Sequence, residues 1–296
     1  MEEAIRSSAL TRRFGKMTAV EALDLCVRRG SITGFLGPNG AGKTTTIRLL
    51  LGLLKPQSGS CEVLGFPPGH PDALAQLGAM VEAPSLYEHL TGLENVEITR
   101  LMKDVPRTDT ERVLGLVDLA KDARRPVHTY SLGMRQRLGI ALALLGEPKL
   151  LILDEPNNGL DPIGIQEMRE LIRGLPNRTG ATIFLSSHIL AEVEQVASDL
   201  VVIHRGRLRF QGAMAELGAQ GPEEYLIRVD DPARAMTVLS DHGFAARRDG
   251  DQLRVQSSQA EAARVAAVLV AGGLALSELS PQRASLEARF LALLEA

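Results

Sequence analysis

Residues 37–44 read Gly37-Pro38-Asn39-Gly40-Ala41-Gly42-Lys43-Thr44, and this stretch restricts the fold more than any other feature of the chain. It follows a buried-strand pattern at 31–36 and precedes a helical pattern at 44–54 that stops before Lys55-Pro56. The spacing G-x-x-x-x-G-K-[ST] between a strand and a helix predicts a phosphate cradle. Its glycines let successive backbone N–H groups turn inward around phosphate oxygens, and the helix start adds its positive dipole. In such a cradle Lys43 reaches the β- and γ-phosphates, and the Thr44 hydroxyl ligates Mg²⁺.

A second element agrees with the first. Leu150-Leu151-Ile152-Leu153-Asp154-Glu155 is four apolar residues ending in two acids, as expected of a buried strand that delivers carboxylates to a phosphate site. A surface strand would alternate apolar with polar residues instead. Asp154 is placed to hold Mg²⁺ through its water shell. Glu155 points elsewhere and can polarise an attacking water as a general base.

Around these elements the chain up to about residue 212 alternates short apolar runs with helical patterns, which predicts an α/β layer architecture. Further strands are expected at 181–186 and 200–204. Residues 85–146 read as mostly helical, with Thr91 and Glu94 spaced as a capping box. From Pro222 the texture changes, with strand patterns at 225–229 and 253–255 and helical patterns at 232–240 and 259–270. Residues 216–296 hold eight arginines, no lysine and twelve acids, a balance of 8 − 12 = −4. These readings predict a nucleotide-binding domain over 1–215 with a helical subdomain at about 85–146. A small acidic α+β domain is expected over 216–296, with a linker near Gly212–Gly221.

Composition narrows the partners. Thirty-three basic residues face 36 acids, a formal net charge of −3, which does not suit a surface built to bind nucleic acid. Two cysteines, Cys26 and Cys61, are too few for a disulfide framework or a four-cysteine zinc site. The longest apolar run, 265–276, is 12 residues and is broken by Gly272-Gly273, whereas a spanning helix needs about 20. No signal-peptide pattern is visible at the N-terminus. The expectation is a soluble chain whose membrane role, if it has one, comes through a partner.

Three further motifs sharpen the class. Tyr130-Ser131-Leu132-Gly133-Met134-Arg135-Gln136-Arg137 opens an apolar helix, and Asp154 follows Arg137 by 17 residues. Asn158-Gly159-Leu160-Asp161 comes next, and Ser186-Ser187-His188 ends a strand pattern. With the cradle and the strand acids, this order and spacing resembles the ATP-binding cassette (ABC) ATPases over roughly residues 4–212. The three motifs stand for that family's signature motif, D-loop and H-loop.

The resemblance implies a P-loop NTPase fold of the ABC type, with ATP and Mg²⁺ as cofactors. Residues 37–44 with Thr45 then bind ATP, Phe14 stacks on adenine with support from Val20, and Lys43, Glu155 and His188 carry the catalysis. Ser131, Leu132, Gly133 and Met134 face the γ-phosphate held by an opposite subunit, so a homodimer clamps two ATP molecules head to tail. Asp161 belongs to the D-loop. The family usually has glutamine where this chain has Glu82, and the metal ligands implied are Thr44, Glu82 and Asp154. The signature carries Leu132 and Met134 where glycine and glutamine are usual, and Asn157 stands where threonine is frequent.

Together these departures and the C-terminal appendage resemble ATPases of bacterial exporters for bacitracin resistance and lantibiotic self-protection. Such a subunit works on the cytoplasmic side of the inner membrane. It powers a separate integral membrane permease through a groove beside Glu82, Leu86 and Tyr87, with no nucleic-acid partner. The residues at 216–296 are expected to serve as an accessory or dimerisation domain. The alternative is a soluble ABC ATPase acting on ribosomes or nucleic acid. Those proteins usually carry two cassettes, coiled coils or basic arms, none of which is seen here.

Overall fold

The computed structural model describes residues 2–219, 224–257, 259–282 and 286–295. The chain divides into two compact units, Met1–Met214 and Ala215–Ala296.

The first unit begins with strands β1 (Glu3–Phe14), β2 (Met17–Leu23), β3 (Cys26–Arg28) and β4 (Ile32–Leu36), followed by helix α1 (Lys43–Leu50). Then come β5 (Ser58–Val63), α2 (Pro71–Ala75) and β6 (Leu77–Met80), and a helical stretch of α3 (Gly92–Lys103), α4 (Thr108–Leu116) and α5 (Leu132–Leu144). The unit closes with β7 (Leu150–Leu153), α6 (Pro162–Thr179), β8 (Thr182–Ser187), α7 (Leu190–Glu194), β9 (Asp199–His204) and β10 (Arg207–Ala213).

Six strands form the central sheet in the order β10-β9-β4-β8-β7-β6, parallel except for the β9–β10 hairpin. Every residue of β4, β7 and β8 is buried. That explains why these strands read as continuous apolar runs: helices and loops cover both faces of a parallel sheet. Phe35 and Phe184 meet across neighbouring strands with ring centroids 5.1 Å apart. A second, antiparallel sheet sets β2 and β3 against β1, with β5 also pairing β1. Its Ile5, Leu10, Leu23 and Val63 share one core with Phe35, Ile152 and Phe184.

Helix α1 is shorter than the 44–54 expected from sequence. Gly52 turns left-handed at φ 73°, and the Leu53 and Leu54 N–H groups bond back to the Arg48 carbonyl at 2.9 and 3.1 Å. Such a turn satisfies the last helical carbonyls and ends the helix. The capping box forms as read: Glu94 N–H donates to Thr91 Oγ1 at 3.2 Å, and Thr91 N–H donates to Glu94 Oε2 at 2.7 Å. Gly92 follows the cap because a Cβ there would lie 2.3 Å from the Tyr130 hydroxyl, which donates to the Asp122 carbonyl at 2.7 Å. Burial pushes the Tyr130 phenol up, with Asp122 adding to the shift, so this tie beside Ser131 keeps its proton.

At the unit boundary α8 (Met214–Ala219) occupies most of the stretch expected as a linker. Gly212 and Ala213 end β10, and residues 220 and 221 lie outside the described residues, as does Pro222. The second unit holds β11 (Glu224–Val229), α9 (Pro232–Asp241), β12 (Ala246–Asp249), β13 (Gln252–Gln256), α10 (Gln259–Ala271), β14 (Leu276–Gln282) and α11 (Leu286–Glu295). Its sheet runs β12-β13-β11-β14, antiparallel throughout. Ile227, Val229, Leu239, Leu253, Val255, Val265 and Leu269 form its core. Strand β12 escaped the sequence reading because Ala-Arg-Arg-Asp is polar, the composition that protects an edge strand from further pairing. Strand β14 lies on the other edge, where Pro281 is tolerated.

Candidate functional site: a phosphate cradle and two paired acids

The glycines of residues 37–44 are there for contact as well as flexibility. Gly42 adopts φ 106°, and a Cβ on it would lie 2.3 Å from the Ala19 carbonyl. Any side chain at this point would push the loop off β2. Lys43 opens α1 and is almost wholly buried. Its ammonium donates to the carbonyls of Gly37 at 2.7 Å and Pro38 at 3.3 Å, and pairs with Glu155 Oε1 at 3.1 Å. The buried cation thus sits inside the loop, with every close partner an oxygen that an entering phosphate can replace.

The two acids after β7 separate as their positions suggest. Asp154 is buried; its Oδ2 accepts from the Thr44 hydroxyl at 2.9 Å and its Oδ1 from the Ser186 hydroxyl at 2.6 Å. Ser186 Oγ also accepts from the Glu155 N–H at 2.9 Å, so one hydroxyl fixes both acids. The Glu155 backbone lies in the left-handed region at φ 49°, which a non-glycine residue adopts at some cost. Its side chain meets Lys43 through Oε1 and His188 Nδ1 through Oε2, the latter at 2.8 Å. Glu192, which the sequence reading did not single out, accepts from Asn157 Nδ2 and from the Ser187 hydroxyl, each at 3.1 Å, and ties the two loops to α7.

Lys43, Thr44, Glu155 and His188 line one cavity of about 590 Å³. Asn39, Gly40, Gly42, Lys43, Thr44 and Thr45 form one wall, Glu155, Asn158 and His188 another, and Met17, Thr18, Ala19 and Arg205 complete it. Gly37 and Pro38 supply carbonyls beneath Lys43, and the buried Ala41 accepts from the Gly206 N–H at 2.9 Å. The hydroxyl of Thr44 and the carboxylate of Asp154 are hard oxygen donors already in contact. With phosphate oxygens and retained waters, that donor set fits Mg²⁺.

Three expected site residues lie differently. Val20 is 1% exposed and packs in the core beneath Gly42 rather than lining the cavity. Phe14 does not line the cavity; the Arg12 guanidinium lies 4.9 Å from its ring centroid, while its hairpin partner Met17 is a lining residue. Glu82 does not join Thr44 and Asp154. It lies at φ 58°, and its Oε1 pairs with Arg48 Nη2 at 2.6 Å on the exposed side of α1.

The signature residues lie away from the cradle. Ser131 caps α5 by accepting from the Met134 N–H at 3.2 Å, and Asp161 caps α6 by accepting from the Gly164 N–H at 2.7 Å. Ser131, Leu132, Gly133 and Met134 share a groove of about 390 Å³ with Gly159, Leu160 and Asp161. None of these residues lines the first cavity. Among the described residues no helix is long and apolar enough to cross a membrane.

Comparison with known proteins agrees with this geometry. Residues 20–158 match the family model described as ABC transporter, and residues 224–287 match a domain of unknown function. The chain is 39% identical to the bacitracin transport ATP-binding protein BcrA of Bacillus licheniformis, over 99% of this chain and 98% of the relative. It is 42% identical to the lantibiotic transport ATP-binding protein SrtF of Streptococcus pyogenes, over 67% of this chain and 86% of that one. A solved structure described as the ATP-binding subunit of an ABC transporter superposes with a TM-score of 0.65 at 30% identity, covering 73% of this chain and 92% of that one.

Proposed function

The chain belongs to the ATP-binding, ATP-hydrolysing subunits of ABC transporters, and on that premise we propose that it powers a bacterial export system by ATP-driven closure of a homodimer. Its relatives are transport ATP-binding proteins for bacitracin and for lantibiotics, so a peptide antibiotic is the proposed cargo class. The proposed partner is an integral membrane permease that holds the chain at the cytoplasmic face of the inner membrane. The transport relatives do not favour the ribosomal or nucleic-acid alternative.

One observation carries the catalytic reading: Lys43, Glu155 and His188 form a single bonded chain along the cavity wall, beside Thr44, whose hydroxyl donates to Asp154. In the proposed reaction the triphosphate takes the place of the Gly37 and Pro38 carbonyls on Lys43. Glu155, relieved of that cation, orients the attacking water and takes its proton. His188 holds Glu155 in place and can donate to the γ-phosphate. Thr44 and Asp154 would hold Mg²⁺, which supplies charge neutralisation on the β- and γ-oxygens.

The second half of the proposed site comes from a partner copy. Ser131 and the N-terminus of α5 offer free backbone donors and a positive helix end, which suit a γ-phosphate. Since the signature groove and the cradle are separate within one chain, two chains paired head to tail would complete two sites. The test is phosphate release from MgATP as the chain is diluted. Turnover per chain should fall as pairs dissociate; turnover independent of concentration, in a chain that sediments as a monomer, would contradict the paired site.

A further inference from the structure

We propose that Arg205 is a nucleotide-holding residue whose guanidinium packs against the base end of bound ATP. The inference rests on the ATP-binding reading of the cavity and adds to it a residue outside the motifs recognised in the sequence.

Arg205 and Gly206 form the two-residue turn between β9 and β10, whose flanking residues His204 and Arg207 pair. Both turn residues have positive φ, 49° and 78°, as in the tight hairpin turns that normally take Asn-Gly, Asp-Gly or Gly-Gly. Gly206 is required there: a Cβ would lie 2.8 Å from the Ala19 carbonyl. Arg205 is not required by the turn, and its Cβ makes the left-handed conformation costly. A residue that strains its own turn points to a task beyond the turn.

The turn is also fixed against the cavity. The Gly206 N–H donates to the Ala41 carbonyl at 2.9 Å, and its carbonyl accepts from the Glu21 N–H at 2.8 Å. These bonds join it to the phosphate loop on one side and to β2 on the other. Held this way, Arg205 lines the cavity with Met17, Thr18 and Ala19. Arg207, on the far side of the turn, pairs with Glu21 at 2.9 Å, whereas the Arg205 guanidinium has no ion pair or hydrogen bond among the described residues.

Chemistry selects the end of the nucleotide. The phosphates already have a buried cation in Lys43, together with the acids and His188. The rest of the lining includes the exposed Met17 side chain, Thr18, Ala19 and Arg205, while Phe14 does not line the cavity. A planar guanidinium and a flexible thioether are both suited to the face of an aromatic base.

The experiment titrates the full chain with MgATP and, separately, with magnesium tripolyphosphate, which lacks base and ribose. Arg205→Gly and Arg205→Asn both suit the turn, so their melting temperatures should equal or exceed that of the parent chain. Both should weaken ATP binding about 3- to 30-fold, the range of a cation–π contact, and leave tripolyphosphate binding within about twofold. Unchanged ATP affinity in both variants would overturn the proposal, and so would an equal loss for the two ligands. Lys43→Ala should lose both ligands. If it binds both normally, the error lies in the reading of the cavity as an ATP site.

Discussion

Nδ1 of His188 lies 2.8 Å from Oε2 of Glu155, across 33 residues of sequence. The other carboxylate oxygen faces Lys43, so a single acid links the phosphate loop to the end of β8. Phosphate entering beside Lys43 therefore changes the surroundings of Glu155 directly. In the proposed cycle this couples occupancy of the cradle to the position of the group that activates water.

Ser131 tests whether two chains share a site. Ser131→Arg fills the signature groove with a bulky cation while leaving the cradle untouched. A single chain should then keep its ATP affinity within about twofold and lose hydrolysis. Mixed with Lys43→Ala, it should regain the activity of one composite site per pair at most. A Ser131→Arg chain hydrolysing at the full rate would show that each chain completes its own site.

Glu82 is paired with Arg48 on an exposed surface, where an ion pair contributes only about 0–1 kcal/mol. The pair is therefore weak enough to open during turnover, and its loss should shift the melting temperature by no more than about 3 °C. Glu82→Gln keeps an oxygen and should lose little ATPase activity. Glu82→Ala removes it and should lose more, with transport in permease-containing membranes falling further than hydrolysis. Identical activities in the two variants and the parent would make Glu82 a bystander.

The helical stretch carries a pH-dependent tie. The Thr110 hydroxyl on α4 donates to Glu97 on α3, and Arg100 donates to the same carboxyl, together holding it below the usual glutamate range. A lowered folded-state value stabilises the fold above the ordinary glutamate pKa, and the benefit disappears as pH falls through the lowered value. Thr110→Val should therefore melt a few degrees below the parent at pH 7, with the gap closing below about pH 4.5. A gap constant from pH 7 to pH 3.5 would remove Glu97 from the explanation.

A truncation at the unit boundary tests the proposed accessory role of the second unit. The cut belongs after Met214, because Ala213 still pairs with Asp199 and the Met214 N–H donates to the Ser198 carbonyl at 2.9 Å. The fragment should fold and bind ATP, and its pairing, followed by sedimentation over a range of concentrations, should weaken. An insoluble fragment that binds no nucleotide would place residues 215–296 in the catalytic core.

Local features were the legible ones. The cradle, the strand acids, the Thr91–Glu94 box and the buried parallel strands each depend on neighbours within a few residues, so spacing alone reveals them. The placement of Phe14 and Val20 was not legible because β1 and β2 slip in register between Leu10 and Arg13, which breaks the strand alternation that would tell which side chains face a ligand. The surroundings of Glu82 were hidden for a related reason: its left-handed backbone directs the side chain to Arg48. Arg205 was out of reach altogether, since its place in the cavity depends on the bond from Gly206 to Ala41, 165 residues earlier in the chain.

The central claim is that Glu155 activates water in an ATP-clamped pair of chains. The most direct measurement combines phosphate release with sedimentation for Glu155→Gln in MgATP. The account predicts ATP affinity near that of the parent chain, hydrolysis slowed by at least about 10²-fold, and a stable dimer retaining two ATP molecules. Normal turnover, or a chain that stays monomeric with ATP bound, would contradict it.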